Sequence, residues 1–186
     1  MLMDDWAVTL DVVSNISYVI ASLYCIYHIH KSKKYLKLTT FFSALVGCVA
    51  VGSSLYHIYM TPLAQLSDVV PCWLFMLTYV GSAMYYMLGW SKKMTATCMM
   101  LFMLSLAVTG MFHIEAPEVP WIPGGVMLWV ICLVMINRHK QVAGDMGIAA
   151  ACFTIALPVK ALDSYASMNS LIGTHWVWHI ITAIMF

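Results

Sequence analysis

Seven apolar runs, joined by short polar stretches, take up almost the whole of this 186-residue chain. They cover residues 6–29, 39–60, 69–90, 94–113, 122–137, 142–161 and 168–186, with ends set only to within several residues. A helix needs roughly 20 apolar residues to cross the hydrocarbon of a bilayer. In lipid every backbone polar group must be bonded inside the protein, so runs without strand-like alternation read as helices. The fifth run is short for a crossing and begins near Ile122-Pro123-Gly124-Gly125. Composition agrees with a membrane setting. Hydrophobic residues make up 62% and charged residues 9% of the chain, against about 45–50% and about 25% in soluble domains. That leaves too little polar surface to coat a water-facing globule, and too little charge for disorder. A net charge of +1 gives no basic footprint, so nucleic acid is not expected as a partner. The expected fold is all-α and polytopic: one seven-helix transmembrane bundle spanning residues 1–186, with no second domain.

The charges orient this bundle. Lys31, Lys33, Lys34 and Lys37 lie in the first loop, Lys92 and Lys93 in the third, Arg138 and Lys140 in the fifth. The other side carries Asp4, Asp5, Asp68, Glu115, Glu118 and Asp163, with Lys160 the one cation near it. Basic loops stay cytoplasmic. The N-terminus is therefore expected outside (periplasm, exterior or lumen) and the C-terminus in the cytoplasm, which requires an odd number of crossings. The acidic start, Met1-Leu2-Met3-Asp4-Asp5, is unlike a cleavable signal, so the first run is expected to remain in the mature protein. Six cysteines form no CxxC pair and read as small buried residues.

Ionisable groups inside spans are costly and often functional. His28, His30, His113 and His139 sit at run ends and read as interfacial. His57, His175 and His179 do not. Ser53 and His57 are four residues apart, as are His175 and His179, so each pair shares a helical face. A His-x3-His pair on a helix is a common chelating geometry; the same residues can also pack structurally or ligate a haem. In the expected topology His57 lies about three residues from the outer end of its run, and His175 and His179 about seven and eleven residues into the last, roughly 10 and 16 Å deep. Asp68 opens the third run on the same outer side. The three histidines and Asp68 thus fall in the outer half of one bundle, and the histidines suit one metal ion. Asp68, just before Val69-Val70-Pro71, also suits a helix N-cap. Ser53 also suits a bond to its own backbone. Asp11, Ser14 and Asn15 form a polar stripe in the first run that suits either helix packing or a ligand lining. Asp163 and Lys160 read as an interfacial ion pair.

Ser53-x3-His57, Asp68 eleven residues later and His175-x2-Trp178-His179 in the last run together resemble the CREST superfamily of seven-helix membrane hydrolases. The likeness is nearest to the alkaline ceramidases, with Asp5-Trp6 and Val13-Ser14-Asn15 adding to it. It implies zinc held by His57, His175 and His179, with Asp68 acting on water and Ser53 set against the ion or the developing oxyanion. It implies hydrolysis of an amide-linked membrane lipid, ceramide or another N-acyl lipid, to a fatty acid and an amine. The adipoQ-receptor, hemolysin III-like and Per1-like branches imply an alternative, with the same metal site serving lipid sensing or remodelling. The family's calcium-binding acidic segment is shorter here: only Asp4, Asp5, Asp11 and Asn15 offer oxygens and the glutamates are missing, so calcium is not expected.

Overall fold

The computed structural model describes residues 5–32, 36–111, 118–170 and 172–186. Asp4, Lys33, Lys34, His113 and Glu115 lie outside the described residues, as do the side chains of Asp5 and His30. The described residues are helical, with no strand among them. They form α1 (Asp5–Ser14), α2 (Ile16–Ser32), α3 (Leu36–Tyr59), α4 (Pro62–Ser82), α5 (Lys92–Gly110), α6 (Ile122–Met135), α7 (Lys140–Ala161), α8 (Asp163–Ser170) and α9 (His175–Met185). Among the described residues, five stretches are long and apolar enough to cross a membrane: Trp6–Ile29, Leu36–Tyr59, Pro62–Met87, Lys92–Gly110 and Lys140–Ala161. Their outward faces carry large apolar side chains, among them Ile20, Leu23, Val51, Leu101, Leu104 and Ile155. Apolar surface on this scale has a low-energy home in lipid rather than in water.

Three helix boundaries differ from the sequence reading, each for a local reason. The first run is broken at Asn15, whose N–H bonds Val12 O at 3.2 Å, three residues back, instead of continuing the helical ladder. The third run starts seven residues early, at Pro62 rather than Val69. Thr61 supplies the side-chain cap there, its Oγ1 accepting from Ala64 N at 3.2 Å, and Met60 makes the reversal with φ +48°. Asp68 is therefore inside α4 and is not its N-cap. The last run does not hold one long helix: Gly173, at φ +68°, turns the chain and α9 begins at His175. His175 thus stands in the first turn of its helix, not seven residues along it. At 1.5 Å per residue, α9 is about 16 Å long.

The chain divides into two compact units. One holds residues up to Phe75, Leu162–Ile184 and Phe186; the other holds Met76–Ala161 and Met185. In the second unit, Ile131, Cys132 and Met135 of α6 pack with Ala143 and Met146 of α7, and the Arg138 guanidinium donates to Leu88 O at 2.9 Å. In the first unit α2 packs along α3. Its core joins Tyr18 of α2, Val46, Val49 and Ala50 of α3 and Ala183 of α9, flanked by Cys72 and Phe75 of α4. These positions set the inward faces. On α3 the buried stripe runs Val46, Val49, Ala50, Ser53, His57, the three-and-four spacing of one helical face. On α4, Asp68 shares a face with Cys72 and Phe75. On α9, His179 falls in line with Ala183 and Phe186.

Candidate metal centre

The inward stripes of α3 and α9 each end in histidine, and the fold of the first unit brings those ends together. His57, His175 and His179 offer ring nitrogens that all lie within 4.8 Å of one another, so one cation can be shared among them. The ring centroids form a compact triangle: 5.0 Å from His57 to His175, 5.2 Å from His57 to His179 and 4.7 Å from His175 to His179. His57 and His179 are buried, at 6% and 3% exposure, and His175 is half-buried.

Each ring is approached on its Nδ1 side by oxygen. Asp11 Oδ2 of α1 lies 3.5 Å from His57 Nδ1. Asp163 Oδ2 lies 3.7 Å from His175 Nδ1. Ser14 Oγ lies 2.8 Å, and the Asp11 carbonyl 3.2 Å, from His179 Nδ1. Ser14 Oγ donates to Asp11 O at 2.8 Å, so toward the His179 ring both neighbours can act as acceptors, which favours the proton on Nδ1 and leaves the lone pair on Nε2. Ser53 Oγ is 3.4 Å from that Nε2.

The other carboxylate is held just as firmly. Asp163, first residue of α8, accepts from Thr174 N at 2.7 Å and His175 N at 2.9 Å. It thereby caps α9, fixes the backbone of the histidine whose ring it approaches, and favours the positive end of the helix. Asp163, paired with Lys160 in the sequence reading, also holds the start of α9. Gly173 fits this turn because a Cβ there would come 2.7 Å from Ser167 Oγ and 2.8 Å from Asp163 Oδ1.

Asp68 enters from α4. A Cβ on Gly52 would run into the Ser67 carbonyl and stand 3.0 Å from Asp68 N. The missing side chain lets α3 and α4 touch at this level, one residue before Ser53. Asp68 is half-buried and within electrostatic range of the Tyr18 hydroxyl. That hydroxyl bonds Thr182 Oγ1 at 2.6 Å, and the Tyr18 ring lies 5.8 Å from the His179 ring.

All five expected site residues, Ser53, His57, Asp68, His175 and His179, belong to the first unit. The three histidines and Ser53 stand together. Asp68 lies on the inward face of α4 at the level of Gly52 and Ser53. Of the two readings of the Asp11–Ser14–Asn15 stripe, helix packing is the one seen: Asp11 and Ser14 of α1 meet His57 of α3 and His179 of α9. Asp163 was missed as a site residue. Its signal in the sequence was a carboxylate upstream of a Gly-Thr-His helix start, which the nearby Lys160 obscured.

Set against protein-family models, curated proteins and solved structures, the chain matches none of them.

Proposed function

We propose that the protein is an integral-membrane, metal-dependent hydrolase that cleaves the amide of an N-acyl lipid such as ceramide, with zinc at His57, His175 and His179. The observation that carries this reading is the convergence of three imidazoles whose Nδ1 sides are each met by an oxygen. That is how metal-ligating histidines are oriented: the outer nitrogen is held so that the inner one meets the ion. Three neutral nitrogen donors suit zinc and leave a fourth position open, the pattern of catalytic rather than structural sites. When bound, such an ion supplies Lewis acidity and makes water a competent nucleophile near neutral pH.

The chain's own residues account for the remaining tasks. Asp68 accepts a proton from the attacking water. The oxygen of that water adds to the amide carbonyl carbon, the carbon–nitrogen bond breaks, and Asp68 returns the proton to the departing nitrogen. The products are a fatty acid and an amine. The Ser53 hydroxyl, buried beside His179 Nε2, donates to the carbonyl oxygen as negative charge develops there. Asp11, Ser14 and Asp163 hold the rings in register. The apolar outer faces of the helices give a lipid substrate its approach from the bilayer.

This reading takes the seven apolar runs as seven crossings, with the lysine-rich odd loops in the cytoplasm, the N-terminus outside and the histidine cluster in the outer half of the membrane. It rests on the resemblance to the CREST superfamily, and to the alkaline ceramidases in particular, together with the cluster itself. The test is metal analysis of the purified protein combined with fatty-acid release from ceramides and other N-acyl lipids in mixed micelles. Stoichiometric zinc, with turnover lost in His57→Ala, is expected. Turnover unchanged in His57→Ala would overturn the reading. Zinc bound without turnover of any N-acyl lipid would make the protein a lipid-sensing one.

A further inference from the structure

Two of the three clustered histidines are gripped by a single residue of a third helix. Asp11 reaches His57 of α3 with its carboxylate (Oδ2 to Nδ1, 3.5 Å) and His179 of α9 with its backbone carbonyl (O to Nδ1, 3.2 Å). A carbonyl inside an unbroken helix accepts from the N–H four residues on. Here Asn15 N bonds Val12 O instead, because the helix breaks at Asn15. Asp11 O accepts from Ser14 Oγ at 2.8 Å and Asn15 Nδ2 at 3.1 Å, and stands open to the His179 ring. The break between α1 and α2 thus turns a main-chain carbonyl into part of the site. Asp11 is 5% exposed. A carboxylate is seldom buried without a partner, and here its neighbour is an imidazole.

We propose that Asp11 is the positioning residue of the metal centre: it fixes His57 and His179 relative to each other across two helices, with Ser14 as its auxiliary on His179. The inference rests on the metal-centre reading above and adds to it a residue that does not touch the ion. The two grips are chemically separable. Substitution of Asp11 removes the carboxylate's hold on His57 and leaves the main-chain hold on His179. Substitution of Ser14 weakens the hold on His179 and leaves His57 untouched. Asn at position 11 keeps an acceptor of the same shape but drops its charge.

The test is zinc affinity, measured on detergent-solubilised full-length protein by competition with a chromophoric chelator, together with the visible spectrum of the cobalt-substituted protein. Loss of an outer-shell partner typically weakens metal binding roughly 10–100-fold. Asp11→Ala is expected to fall in that range, Asp11→Asn to weaken binding less, and Asp11→Ala with Ser14→Ala to exceed either single change. The cobalt d–d bands should shift in Asp11→Ala, a change that mere loosening of the fold would not produce while helix content and melting of the metal-free protein stay the same. Wild-type zinc affinity and cobalt spectrum in Asp11→Ala, with binding abolished in His57→Ala, would overturn this inference and leave the metal centre standing. A wild-type protein that binds no zinc would overturn both.

Discussion

At the scale of single residues, Ser53 and Asp68 are assigned to different steps, and their variants should fail differently. Ser53 is buried against His179 Nε2 at 3.4 Å. As a donor to a developing oxyanion it should contribute as such donors do, so Ser53→Ala is expected to lower kcat by about 10²-fold or more. Zinc content should be unchanged, as read by metal analysis of the same preparation. Asp68→Asn retains size and removes the base. Turnover is expected to fall by about 10²–10⁴-fold, with zinc content unchanged. Full turnover in Asp68→Asn would exclude Asp68 as the proton carrier. The His175–His179 pair was legible in the sequence because its spacing is local: four residues place two rings on one face whatever else the chain does, whereas His57 was joined to it only through the expected topology. Asp11 and Ser14 were legible only as a polar stripe. A stripe says which face is special but not what it meets, and their partner His179 is 168 residues from Asp11. Asp163 was hidden for the same reason: its bonds run to Thr174 and His175 across a turn whose shape depends on Gly173.

At the scale of helices, hydropathy located the apolar segments, while the breaks came from single side chains that hydropathy does not weigh. Asn15 interrupts the first run, Thr61 caps α4 ahead of the expected third run, and Gly173 starts α9 late. Two glycines carry the geometry that results. At Gly52 a methyl group would collide with the Ser67 carbonyl, a rigid backbone obstacle. Forced overpacking of this kind costs about 1–3 kcal/mol. Gly52→Ala is therefore expected to lower the thermal midpoint and to separate Ser53 from Asp68, so that activity falls even at saturating zinc. An unaltered melting curve with full turnover would mean that α3 and α4 do not meet there. At Gly173 the φ of +68° is itself unfavourable for a side chain, by roughly 1–2 kcal/mol. The added carbon would also press on Ser167 and Asp163. Gly173→Ala should weaken zinc binding through His175 alone, and chelator competition should show the effect vanishing when His175→Ala is already present.

At the scale of the whole chain, the residues of the candidate centre and their outer partners all belong to one of the two compact units, on α1, α3, α4, α8 and α9. The helices of Met76–Ala161 contribute none of them. A ligand that binds only the folded state stabilises it by about 2.7 kcal/mol at one hundred times its Kd. That stabilisation is felt by the segments whose opening breaks the site. A cation shared by α3 and α9 ties together parts of the chain more than a hundred residues apart, and α9, at about 16 Å, has little length of its own with which to resist fraying. Removing zinc with a chelator should therefore raise backbone hydrogen exchange in His175–Met185 most, in the Asp11–Ser14 turn and the last turns of α3 next, and in α6 and α7 not at all. Peptide-resolved exchange by mass spectrometry, with and without metal, reads this directly. Exchange that rises equally in α6 and α7 would mean that the metal acts on the chain as a whole. Exchange that rises nowhere would mean that the three imidazoles are held together without it.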